Sequence, residues 1–157
     1  MDFENLIKVL DDYARDVKKL YEDNLKYDNA VASGELLNSV KYLFEQNGSK
    51  YEVYLQLADY WKYVEYGRRS GKFPPVDKIL NWIRVKPVIP RPFNGKLPTE
   101  QQLAFLISRK IAREGTKARN ILELTLEEIN QEYEEKIEEA FSKDIENEVN
   151  KILALNK

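Results

Sequence analysis

The chain has 157 residues, the length of one ordinary domain, with 43% hydrophobic residues to build a core and a net charge of −2. It has neither cysteine nor histidine, which excludes disulfides, thiol chemistry, zinc centres and Ser-His-Asp or Cys-His nucleophile systems. Its apolar runs fall far short of the ~20 residues that span a bilayer, and its acidic beginning, "MDFENLIKVLDDYARD", has no apolar stretch of the secretion-signal kind, so neither a membrane partner nor a cleaved leader is expected.

The small net charge hides a strong asymmetry. Residues 1–59 carry 7 basic and 12 acidic groups, residues 60–121 carry 14 and 4, and residues 122–157 carry 4 and 11. A positive middle between negative ends suits a polyanion. It suits equally the acidic flank of an identical neighbour, because a head-to-tail contact joins two different patches of the same chain.

In chain order, Phe3, Leu6, Ile7, Leu10, Tyr13, Ala14, Val17, Leu20 and Tyr21 recur at spacings of three and four, which predicts a helix over about Phe3 to Tyr27. Asp2 is a suitable N-cap, and Lys18, Lys19 and Lys26 suit the negative end of the helix dipole. A shorter helix is expected from Ser33 through "SGELLNSV". The period then changes to two. Val40, Tyr42 and Phe44 alternate with Lys41 and Glu45, and Tyr51, Val53, Leu55 and Leu57 alternate with Glu52, Tyr54 and Gln56. Asn47-Gly48 between the two runs predicts a β-hairpin over about 40–57.

From Ala58 the helical period returns. Tyr60, Trp61, Val64 and Tyr63 are placed on one face, and Gly67 is placed as a left-handed stop. "GRRSGKFPP" is a loop, and Pro74-Pro75 introduces a helix over about Val76 to Val85 that presents Ile79, Leu80 and Ile83, with Trp82 beside them. "KPVIPRPFNGKLP" holds four prolines and is extended or looped, either an arm toward a neighbour or a plain surface loop. Thr99 caps a helix to Gly115 with Leu103, Leu106, Ile107 and Ile111 on its buried side. "TKARNILELT" reads ambiguously. A long amphipathic helix follows from about Leu122 to Leu155, with Leu122, Leu126, Ile129, Tyr133, Ile137, Phe141, Ile145, Val149 and Ile152 in one stripe. Its mean spacing is nearer 3.7 than 3.5 residues, which argues against a simple left-handed coiled coil. The expected fold is α+β: a small, mainly antiparallel sheet packed by several helices. The expected organisation is a domain over 1–124 and, over 125–157, an acidic helix packed on it or on a neighbouring subunit.

"GRRSGK" invites reading as a phosphate-binding loop, but three residues separate Gly67 from Gly71 where the P-loop has four, and Phe73 follows Lys72 where a hydroxyl would hold magnesium. The glutamates after Glu123 alternate with Lys136 and Lys143 as on a solvated face, and none is singled out as a catalytic pair. Glu65 is expected to pair with Arg68 or Arg69 one turn later. No catalytic, cofactor-binding or metal-ligating residue is therefore assigned. Arg68, Arg69, Lys72, Arg84, Lys86, Arg91 and Lys96 are the candidate site residues, as one basic surface for nucleic acid or for another protein. The aromatics of Tyr60–Tyr66 at helical spacing point to core more than to a base-stacking platform.

The order of these signals resembles the head–tail connector, or neck and tail-completion, family of tailed bacteriophages. The matching stretches are "ASGELLNS" at Ala32 to Ser39, "YWKYVEYGRR" at Tyr60 to Arg69, "PPVDKILNWI" at Pro74 to Ile83, "LAFLISRKIAREG" at Leu103 to Gly115 and "KARNIL" at Lys117 to Leu122. The resemblance covers about residues 1–124. The lengthened "VKPVIPRPFNGK" and the long acidic helix after Leu124 depart from the family's pattern. The resemblance implies a non-enzymatic virion protein made in the bacterial host cytoplasm. It implies a ring of six or twelve copies at the head–tail junction, between portal, adaptor or tail proteins, with genomic DNA passing through its lumen. The seven cations would then lie at a subunit contact or face the lumen. The alternative is an accessory protein that binds nucleic acid without sequence specificity through residues 60–96.

Overall fold

A computed structural model of the chain describes residues 3–31, 34–48, 50–86, 88–92 and 95–155. It is an α+β fold, mostly helical, with one two-stranded antiparallel sheet. The helices are α1 (Glu4–Tyr27), α2 (Glu35–Ser39), α3 (Trp61–Glu65), α4 (Val76–Val85), α5 (Glu100–Glu114) and α6 (Ile121–Leu155), and the strands are β1 (Lys41–Asn47) and β2 (Lys50–Gln56). Asp2 and Ser33, the expected helix starts, lie outside the described residues, as do Pro87, Phe93 and Asn94 of the proline-rich segment.

The chain forms two compact units, each discontinuous in sequence. One comprises Met1–Asn24, Val40–Leu57 and Ile121–Lys157; the other comprises Leu25–Ser39 and Ala58–Asn120. Position 124/125 lies inside α6.

The first unit holds most of α1, the hairpin and α6. Its core is Val17, Ile129 and Tyr133, packed against Val9, Tyr13, Leu20, Leu55, Leu126 and Ile137. The hairpin register places Tyr42 opposite Leu55 and Phe44 opposite Val53, so the apolar side chains of both strands share one half-buried face. Asn47 pairs with Lys50. Gly48, not Asn47, takes the positive φ of 64° that opens the turn. Phe3 stacks on Phe141 at 5.8 Å and meets Tyr51 edge-on at 6.0 Å.

One buried charge is built into this unit. Asp144 of α6 is 2% exposed and accepts hydrogen bonds from the Asn5 backbone N–H at 3.2 Å, the Asn5 Nδ2 at 2.7 Å and the Leu6 backbone N–H at 2.8 Å. The free N–H groups of the first turn of α1 are thus capped from another helix, where the dipole also favours an anion. Burial alone would raise the carboxyl's pKa. The Leu6 and Asn5 donors outweigh it and hold the group below the ordinary carboxylate value.

The expected stripe along α6 is only partly covered. Ile129 and Tyr133 are buried, and Leu122, Leu126, Ile137 and Ile145 are half-buried. Phe141, Val149 and Ile152 are 46%, 48% and 52% exposed. The closely packed line instead runs through Ile121, Thr125, Ile129, Tyr133, Ala140 and Asp144. Small and polar side chains let α6 approach its neighbours, which apolar periodicity does not register.

In the second unit, α4 packs against α5, with Ile83 and Ala104 buried. Thr99 accepts from the Gln102 N–H while the Gln102 side chain accepts from the Thr99 N–H, a complete capping box. The buried face of α5 differs from the expectation. Ala104 and Ser108 are buried, and Leu103, Ile107 and Ile111 are half-buried. Leu106 is 42% exposed beside Phe105 at 49%. α5 is apolar on two sides, and its small residues face inward because they allow the closest approach.

Candidate interaction surface

The helix expected from Ala58 to Gly67 is shorter, running only from Trp61 to Glu65. Of its expected face, Tyr60, Trp61 and Val64 are half-buried, whereas Tyr63 is 59% exposed; Tyr66 is 66% exposed, and the fully buried residue is Glu65. The end of α3 is tied to residues 54 and 55 positions further along the chain. The last carbonyl of α3, on Glu65, accepts from the N–H groups of Arg119 at 2.9 Å and Asn120 at 3.1 Å. Arg68 and Thr116 then exchange backbone hydrogen bonds at 3.1 and 2.8 Å, and the Gly71 N–H reaches the Ala112 carbonyl of α5 at 2.7 Å. The loop "GRRSG" and the segment "GTKARN" therefore satisfy the carbonyls left free at the ends of α3 and α5.

Two glycines allow this approach. A Cβ on Gly67 would stand 2.3 Å from the Thr116 carbonyl oxygen, and one on Gly115 would stand 2.2 Å from that of Arg68. Both have positive φ, of 68° and 74°. "GRRSG" is thus a backbone clasp within the second unit.

The seven predicted cations belong to this unit but do not form one patch. Arg68 lies over the Tyr63 ring at 5.8 Å and donates to the Lys72 carbonyl at 3.3 Å. Arg69 and Lys72 are exposed on the loop. Arg84 is tied to Glu100 at 3.0 Å. The Lys86 ammonium donates to the Asn29 carbonyl and lines a groove with Tyr63, Trp82, Lys117 and Arg119. Arg119 is held by Asp28.

Arg91 and Lys96 do come together, on a groove of about 1140 Å³ in this unit. Leu97, Phe105 and Leu106 supply its apolar lining, and Arg109 adds a third cation. Phe105 also meets Phe73 at 5.6 Å. Sequence reasoning missed Arg109 and Phe105. Their signal was the spacing Gln101, Phe105, Arg109, which keeps to one side of α5, next to the row of its small residues.

The charge asymmetry along the sequence carries over to the two units. The second unit carries 15 basic and 7 acidic residues, a balance of +8; the first carries 10 and 20, a balance of −10. The two acidic ends of the chain are gathered into one body. On α6, Glu127, Glu128, Glu134, Glu135, Glu138 and Glu146 have no cationic partner among the described residues, and Arg69, Arg91, Lys96, Arg109 and Lys117 likewise have no carboxylate partner.

Among the described residues, no three of His, Cys, Asp and Glu stand close enough to share a metal ion, and no helix is long and apolar enough to cross a membrane. Comparison of the chain with protein-family models, curated proteins and solved structures returns no match.

Proposed function

We propose that this chain is a structural virion protein that assembles into a closed ring at the head–tail junction of a tailed bacteriophage. Six or twelve copies surround the passing DNA and meet portal, adaptor or tail proteins. The protein is made in the bacterial host cytoplasm and performs no reaction. The observation that carries the self-assembly part of this reading is the division into a unit of +8 and a unit of −10. Copies that meet positive unit to negative unit make heterologous contacts, which close into rings when the rotation permits. The virion assignment rests on the ordered resemblance of residues 1–124 to connector proteins. Electron-microscopy class averages of the purified protein test the ring, and peptide mapping of purified virions tests the location. Annular particles and virion peptides are expected. A monomer absent from virions overturns the proposal.

A second reading has its own observation. Exposed Tyr63 and Trp82 share a groove with Lys86, Lys117 and Arg119, a combination that can stack bases and hold phosphates. On that reading the protein is an accessory binder of nucleic acid without sequence preference. Titration with single-stranded DNA at several salt concentrations separates the two: micromolar or tighter affinity with a steep salt slope, in a protein that stays monomeric, favours the second.

A further inference from the structure

The C-terminal turns of α6 carry an apolar ridge that the first unit leaves open. Val149, Ile152 and Leu153 are 48%, 52% and 59% exposed, and half-buried Ile145 precedes them. Ile145, Val149 and Ile152 fall at i, i+4 and i+7, the spacing with which an amphipathic helix seats in an apolar groove. Glu146 lies beside this ridge without a cationic partner among the described residues, and further up the helix Glu134, Glu135 and Glu138 are equally unpartnered.

The groove along α5 has the complementary character. Leu97, Phe105 and Leu106 give it an apolar lining, and Arg91, Lys96 and Arg109 edge it with positive charge. None of these three cations has a carboxylate partner among the described residues, whereas their neighbours Arg84, Lys110 and Arg113 do. At about 1140 Å³ the groove exceeds the ~1,000 Å³ upper range of small-ligand pockets and takes a row of several side chains. An apolar channel edged by unpaired cations calls for an apolar ridge edged by unpaired carboxylates.

We infer that the C-terminal turns of α6 of one copy dock in the α5 groove of the next copy, with Val149, Ile152 and Leu153 on the apolar lining and α6 glutamates toward Arg91, Lys96 and Arg109. The donor and receiver surfaces differ, so the contact is heterologous and propagates from copy to copy. This deepens the self-assembly reading above and rests on it.

The test uses two variants of the full chain. The tail variant carries Val149→Asp and Ile152→Asp; the groove variant carries Lys96→Glu and Arg109→Glu. All four positions are exposed in the structure, and circular dichroism against the wild type checks that each variant keeps its helix content. Each variant alone is expected to self-associate at least about tenfold more weakly than wild type in mass photometry, a loss of about 1.4 kcal/mol per contact. Mixed, they are expected to form 1:1 pairs and nothing larger, because one intact groove meets one intact tail and both remaining halves are broken. If either variant assembles as the wild type does, or the mixture stays monomeric, the docking is wrong while ring formation stands. If the wild type itself is monomeric throughout, both fall. If wild-type oligomers appear only on adding single-stranded DNA, the groove belongs to a polyanion and the docking is overturned.

Discussion

At the scale of single residues, two buried polar groups make opposite predictions. Asp144 stabilises the first unit because its carboxylate receives three N–H groups at the start of α1. Its folded pKa lies below its ordinary value of 3.8, so its contribution is fully present above that value and drains away as pH falls through the depressed one. Asp144→Ala is expected to cost about 1–2 kcal/mol at about pH 7, read as a lower urea midpoint. The gap from wild type should narrow at about pH 3. An equal gap at both pH values would mean that the carboxylate is not the stabilising group. Ser108 is the reverse case. Its hydroxyl is buried on α5 with no hydrogen-bond partner among the described residues. Ser108→Ala removes an unsatisfied group and improves helix propensity, so it should raise the second unit's stability by about 1 kcal/mol. Destabilisation would show that the hydroxyl is engaged in solution.

At the scale of elements, the clasp between "GRRSG" and "GTKARN" gives the sharpest expectation. Gly67→Ala and Gly115→Ala each press a Cβ against a backbone carbonyl and each require positive φ of an alanine. Each should cost about 2 kcal/mol or more. Gly48→Asn, at a turn with nothing within 4 Å, should be nearly neutral, because asparagine tolerates that backbone region. Equal effects at all three positions, in thermal denaturation, would contradict the clasp.

These elements also show what a sequence can disclose. α1, α4, α6, the hairpin and the Thr99 cap follow from periodicity and capping chemistry, which are local. The short α3 does not, because Glu65 is tied to Arg119 and Asn120, far along the chain. Nor does the buried face of α5, since Leu103, Ile107 and Ile111 compete with Phe105 and Leu106 for the interior. The side with Ala104 and Ser108 is the one that is buried. Of the candidate site, the cationic residue types were legible and their grouping was not. Arg91 and Lys96 share a groove, Arg84 is bound to Glu100, and Arg68 belongs to the clasp.

For the whole molecule, what matters is the gathering of both acidic ends of the chain into one unit opposite in sign to the other. α6 alone is 35 residues, about 52 Å long at the usual helical rise, and displays a row of unpartnered glutamates. Such a body repels its like unit and attracts its unlike one, so assembly should weaken as salt screens the charges over ~10 Å at 0.1 M and ~3 Å at 1 M. The most direct measurement is the mass of the full chain by sedimentation velocity across that range of salt. A single closed species of defined mass at low salt, shifting toward monomer as salt rises, is predicted. A monomer at every salt and protein concentration would contradict the claim that the two oppositely charged units join copies of this chain.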